Sequence, residues 1–279
     1  MNAVWKVIAE LPGLLGALIV MAMLTGPVQP WARLVVAAAG IGVAVWSQTR
    51  AGEELMARLA GGRPPTAGER ATLEDPITRL CAQQLGPPAI EIMVVNRPGS
   101  GAVAFGRRTL LVTSDLINDC RRGQLGTDEA AALMAAGVGF LRSGLDRWDG
   151  LIIALTVPWL PVRGLAHGVA NVLRRVPLVG FAWRVRAVVI GIAVWQLAVD
   201  NGLPVLAVFL GAVGALSYVA PVAARKLSRS LFFIGDQFAA DAGHGPALAR
   251  FLRRFPTDDL AVERLHRLAP PVPRLSVVR

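Results

Sequence analysis

His167, His244 and His266 are the only three histidines in this 279-residue chain. Imidazole titrates near neutral pH and is the commonest metal ligand, so the spacing of these three bounds the chemistry available. His244 follows Asp241 by three residues, which puts the two on one helix face as a weak candidate metal pair, Asp241 with His244; no second imidazole stands at ligand spacing. His167, in "GLAHGVA", is expected at a membrane-proximal surface, and His266, in "ERLHRL", on a solvated helix. Asp200 lies inside an apolar region, where a carboxylate can carry protons or ions, but its D-N-G context favours a turn at the far membrane face. Cys81 and Cys120 are far apart and form no C-x-x-C, so neither a disulfide framework nor a zinc ribbon is indicated. Both are expected as small buried hydrophobes.

A second stretch has the frame of a catalytic helix without its chemistry: "TDEAAALMAAGVGFLRSG", Thr127 to Gly144. Thr127 is placed to cap it and Asp128 and Glu129 complement its first turn. Taken alone it is an Ala/Gly-rich helix whose Ala132, Ala136 and Gly139 let another helix approach closely.

The elements around these residues belong to a membrane protein. The chain is 54% hydrophobic with a mean hydropathy of +0.51, too apolar for an ordinary soluble domain. Its net charge of +10 is almost wholly arginine, since Lys6 and Lys226 are the only lysines. No aromatic-interleaved basic face accompanies that charge, which argues against nucleic-acid binding; basic loops at an anionic cytoplasmic leaflet explain it better. Scarce lysine beside abundant Ala, Gly, Val and Arg suggests a GC-rich bacterial genome.

Leu11 to Gly26 and Trp31 to Ser47 are uncharged but for Arg33 and read as a transmembrane hairpin with Trp31 and Trp46 at the interface, residues 1–49 forming this anchor. A cleaved signal peptide is disfavoured because a second apolar span follows at once. Residues 50–149 have the composition of a soluble domain, with a helix over Asp75 to Leu85, a small β-meander of "AIEIMVV", "AVAFG" and "TLLVT", and helices capped by Ser114 and Thr127. Residues 150–224 return to the membrane. Leu151 to Val176 lies at or in the interface, and Ala187 to Ala220 forms a second hairpin turning at Asp200-Asn201-Gly202. Arginines on both flanks put four spans and both termini on a cytoplasmic plan; an alternative counts 151–176 as one span and 187–220 as one long tilted span. Residues 225–279 are a soluble helical tail. The expected fold is mainly α with a small β-meander.

This order, with its local motifs, resembles the HtpX and CAAX-prenyl-protease family of membrane zinc metallopeptidases. "PGSGAVAFGRRTLLVTSDLI" is similar to that family's P-x-x-N-A-F-A-x-G segment and the elements after it, with Gly101 for its Asn and Val103 for its Phe. "DEAAALMAAGVGFLRSG" follows D-E-x-x-A-V-L-A-H-E-x-G-H-x-x-x-G without a gap, on Asp128, Glu129, Ala132, Ala135, Gly139 and Gly144. In that register Ala136 and Phe140 replace the two zinc-binding imidazoles and Gly137 the carboxylate that accepts a proton from zinc-bound water. "QFAAD" resembles the E-[FY]-x-A-D motif, with Gln237 at the third ligand, and "APPVPRL" loosely follows H-P-P-x-x-x-R-I.

The resemblance implies a gluzincin-like cytoplasmic domain on a bacterial inner-membrane protein whose vacated positions are Ala136, Gly137, Phe140 and Gln237. It implies a pseudopeptidase without catalytic, cofactor or metal residues, whose partners are the bilayer and a membrane protein or extended client segment laid along Ala102, Val103, Ala104 and Phe105. Two alternatives are an active zinc endopeptidase with displaced ligands, and a small-molecule or ion-handling membrane protein pointed to by Asp200.

Overall fold

Thr, Gly and Pro punctuation divides the chain into helices and four short strands, and the computed structural model describes residues 2–25, 38–40, 42–43, 45–82, 90–144, 151–153, 177–255 and 260–268. In chain order these form α1 (Asn2–Thr25), α2 (Arg50–Leu59), β1 (Gly62–Arg63), α3 (Ala67–Ala82), β2 (Glu91–Val95), β3 (Ala102–Phe105), β4 (Thr109–Thr113), α4 (Ser114–Arg121), α5 (Thr127–Ser143), α6 (Pro177–Trp195), a π-helical turn (Gln196–Asp200), α7 (Pro204–Asp241), α8 (Gly245–Arg254) and α9 (Ala261–Leu268). The chain is thus mainly helical with one small sheet. It divides into one unit of Met1–Gly42 with Ala154–Leu227 and another of Val43–Ile153 with Ser228–Arg279.

In the first unit, α6 and the start of α7 make a helical hairpin. A Cβ on Gly214 would meet the Ile190 side chain at 2.7 Å, so the glycine lets the two helices close on each other. The Arg186 guanidinium lies 4.0 Å from the centre of the Tyr218 ring. Asp200-Asn201-Gly202 is the turn, with Gly202 at φ +62°, and Asp200 is exposed. α7 is the only helix among the described residues long and apolar enough to cross a membrane, with a hydropathy of 2.1 over its best window. The expected second span, Trp31 to Ser47, falls partly outside the described residues, as do most of Leu151 to Val176 and His167.

The second unit is built on a mixed sheet of order β1-β2-β4-β3, which corrects the expected meander. β4 is inserted between β2 and β3, pairing parallel with β2 and antiparallel with β3. Burial explains the order. All five residues of β4 are buried, as a central strand requires, whereas β3 leaves Val103 exposed and takes the edge. α5 packs on this sheet with every residue from Glu129 to Leu141 buried. Leu73 of α3, Leu116 and Ile117 of α4, and Leu248 and Leu252 of α8 complete the core.

Several boundaries move by local chemistry. Thr113, not Ser114, caps α4, its side chain accepting from Leu116 N at 3.4 Å. Gly126, not Thr127, precedes α5, and Glu129 reaches back to accept from Gly126 N at 3.3 Å. The helix expected from Asp75 begins at Ala67, because Thr66 and Glu69 form a capping box: Thr66 N donates to Glu69 at 2.8 Å and Glu69 N to Thr66 Oγ1 at 3.4 Å. Cys120 is half-buried against the core, but Cys81 is exposed on α3.

Candidate functional site

The sequence frame centred on residues 136–140 falls in the middle of α5, between β3 on one side and the end of α7 on another. Position 137 meets the sheet: a Cβ there would lie 2.7 Å from Leu110 Cδ1 and 3.0 Å from the Ala102 carbonyl oxygen. Position 139 meets α7, where a Cβ would stand 2.7 Å from Phe238 Cβ. The contact is reciprocal, since a Cβ on Gly235 would lie 2.4 Å from Phe140 Cε1 and 2.8 Å from the Ala136 carbonyl oxygen. Three glycines therefore bring backbone and rings closer than any side chain would allow. Phe140 also meets Phe232 edge-on at 6.5 Å between ring centres, and Arg142 lies 5.1 Å from the centre of the Phe238 ring.

The structure thus brings Ala136, Gly137 and Phe140 together with β3 and the "QFAAD" turn of α7. It does not bring Gln237 to them. Gly235 faces α5, and Gln237 lies about 200° further round the helix; it is exposed, whereas its neighbour Asp236 is buried. Zinc requires lone pairs from nitrogen, sulfur or oxygen. Ala136, Gly137 and Phe140 supply none from their side chains, and the Phe140 ring occupies the space facing Gly235. These residues do not fit a zinc ion.

The weaker pair is also apart in character. Asp241 is exposed at the end of α7, while His244 is buried at the start of α8, its imidazole pKa lowered first by burial and then by the Arg79 charge. Among the described residues no group of three His, Cys, Asp or Glu side chains comes together. His266 is exposed on α9.

The acidic residues that set the sequence register have structural partners. Asp128 pairs with Arg79 of α3, and Glu129 pairs with Arg254 of α8 besides closing the first turn of α5. Glu69 is held by both guanidinium nitrogens of Arg63 at 2.7 and 2.6 Å, which depresses its carboxyl to about 2. Cys120 is pushed up to about 11 by burial and by Asp119 and Glu129, so its thiol is a poor nucleophile near neutral pH.

Two further polar anchors carry no local sequence signature. Glu53 Oε1 accepts from the backbone N–H groups of Arg107, Arg108 and Thr109 at 3.0, 2.9 and 3.0 Å and from Thr109 Oγ1 at 3.0 Å, fixing the β3–β4 turn to α2. Asp236 accepts two bonds of 2.7 Å from Arg264 of α9, and both side chains are buried. The apolar spacing of α9 could have suggested an inward arginine, but its partner 28 residues away could not be read.

The edge of β3 carries backbone groups that β4 does not satisfy. Thr113 N donates to Gly101 O at 3.0 Å, which makes Gly101/Thr113 a hydrogen-bonded pair. With Ala102 opposite Val112, antiparallel alternation assigns the next such pairs to Val103/Leu111 and Phe105/Thr109. Ala102 and Ala104 consequently direct their N–H and C=O groups away from β4, while the Val103 side chain is exposed. No family model matches this sequence, and neither a curated protein nor a solved structure matches it.

Proposed function

We propose that the chain is a membrane-anchored, catalytically inactive relative of the HtpX and CAAX-prenyl-protease metallopeptidases, acting as a binding or regulatory scaffold in a bacterial inner membrane. One observation carries this reading: at the three positions of α5 where the family's chemistry would stand, neighbouring groups have closed in. Gly137 is pressed against Leu110 and Ala102, and Phe140 fills the space beside Gly235. A cleft that cuts peptides must admit a chain and a metal; this helix is packed for stability instead.

The scaffold retains a means of holding an extended segment without cutting it. β3 is an edge strand whose Ala104 N–H and C=O groups turn away from β4, while the Ala102 carbonyl is covered by Gly137 of α5, so a client chain adds as a further strand at the Val103–Ala104 part of the edge, with Val103 meeting its side chains. The apolar exposure of α7 supports the membrane anchor, and cytoplasmic placement of the second unit follows from arginine-rich flanks.

A photo-crosslinking residue at Val103, in the full chain in its membrane, tests the reading. Adducts specific to Val103 and missing from Val262, which is 63% exposed on α9, are expected. The same adducts from both sites count against a client edge. Stoichiometric zinc in protein purified without added metal, lost on His244→Ala, overturns the inactive assignment in favour of displaced ligands.

A further inference from the structure

The sheet of the second unit has two ends of different character. β2 and β4 are parallel, with Glu91 opposite Thr109 and Val95 opposite Thr113. Arg107 and Arg108, before β4, therefore lie at one end, and Arg97, after β2, lies at the other, beyond a paired length of roughly 13 Å at 3.3 Å per residue. At the first end Glu53 clamps the backbone of Arg107 and Arg108, leaving their side chains exposed on a rigid turn. The acidic groups nearby are already engaged. Glu53 is buried with four donors on one oxygen, and Glu91 pairs with Arg50. Neither guanidinium of the turn has an acidic partner among the described residues.

The segment that leads into α2 carries exposed apolar groups. Gly52, beside Glu53, approaches the Trp46 carbonyl so closely that a Cβ would stand 2.1 Å from it. Trp46 is 41% exposed, and Val45 and Val43 before it are 66% and 42% exposed. A tryptophan and exposed valines on the segment leading into α2, whose Glu53 holds a turn with two guanidinium groups that have no acidic partner among the described residues, make the composition of a bilayer interface, where indole sits at headgroup level and arginine meets phosphate. The far end is mixed in charge: Asp115 and Asp119 stand there, accepting from Gly99 N and Ser100 Oγ, beside Arg97 and Arg122.

We propose that the β3–β4 turn end of the sheet, through Arg107 and Arg108, rests on an anionic lipid surface. This orients the unit with the Asp115 and Asp119 end away from the bilayer. The inference rests on the membrane reading, and goes beyond it by naming which face meets lipid and what headgroup charge it selects.

The test is arginine modification by phenylglyoxal, followed residue by residue by mass spectrometry, on the full chain in nanodiscs of phosphatidylcholine with and without phosphatidylglycerol. Arg107 and Arg108 are expected to react about fivefold more slowly with the anionic lipid, and to recover at about 1 M salt, while Arg97 is unchanged. Equal rates in the two lipids overturn the proposal, as does equal slowing of Arg97. Slowing by inorganic phosphate in phosphatidylcholine discs to the same extent overturns the lipid assignment. Failure of the chain to enter either disc overturns the membrane reading and this inference together; entry without protection overturns this inference alone.

Discussion

α5 and the first half of α7 are both apolar helices, and they present their side chains to opposite surroundings. α5 is buried without interruption from Glu129 to Leu141. α7 leaves Val205 84%, Val208 72% and Phe209 46% exposed. Hydropathy measures the drive to leave water and is silent about which phase receives the side chain. Size distinguishes the two. α5 places glycine and alanine where backbone must approach backbone, as at Gly137 and Gly139, whereas α7 arrays branched and aromatic side chains around its outer surface, as a lipid-facing helix does.

Truncation is the strongest way to break that contrast. Phe140→Ala should cost about 3–5 kcal/mol, read from denaturant unfolding in a mild detergent, because the emptied space is walled by Gly235 and Phe232. Val208→Ala should stay within about 0.5 kcal/mol. Similar losses at both sites would mean the two helices are covered alike. A finer version uses Gly235→Ala, destabilising in the parent chain and less so beside Phe140→Ala, since the ring is then gone while the Ala136 carbonyl oxygen still stands 2.8 Å from the added methyl.

Within α7 itself the contrast recurs at its far end. Arg264→Ala should cost about 3–5 kcal/mol by stranding Asp236 as an unpaired buried charge. The exposed Arg58–Glu54 pair, tested by Arg58→Ala, is worth no more than about 1 kcal/mol. Next in size is Val208→Arg, which opposes membrane insertion by about 2.5–3.5 kcal/mol and should release part of the protein on alkaline extraction. Val262→Arg, on the second unit, should release none; release by both would remove the distinction between the two apolar surfaces.

A separate effect is a dependence on pH. The Glu69 carboxyl is depressed from 4.5 to about 2 in the folded chain, chiefly by its hydrogen bonds to Arg63. Its contribution is complete above about 4.5, the unfolded value, and is lost as pH falls towards about 2. Glu69→Gln should flatten that part of the acid unfolding curve; an unchanged slope would mean that the pair does not hold in solution.

What could be read from the sequence was local. The α5 frame, its acidic first turn, the strand-forming runs and the D-N-G turn each depend on residues within a few positions of one another. Strand order does not, and β4 enters between β2 and β3 because its burial on both faces demands two neighbours. Thr66 and Glu69 did form a readable capping box, but the surrounding Gly and Pro gave the stretch the look of a turn. The candidate site illustrates the limit more sharply. "QFAAD" follows the motif at Phe238, Ala240 and Asp241 and puts Gln237 at the ligand position, yet the residue that reaches into the protein is Asp236, and the one that touches α5 is Gly235. A motif fixes a register along the chain; the rotation of the helix is set by what packs against it.

The interleaving of the second unit has a consequence during synthesis. α5 ends at Ser143, but Gly235 and Phe238, which cover it, come more than ninety residues later, after the whole of Ala154–Leu227. At ribosomal speed that interval is on the order of ten seconds. For that time the Gly139 and Phe140 side of α5 lacks Gly235 and Phe238, although Gly137 already rests on the sheet, and the apolar helices made in between compete for that open side. A nascent chain arrested before Ser228 should therefore cling to chaperones or to its neighbours, and the release of that hold dates the arrival of α7.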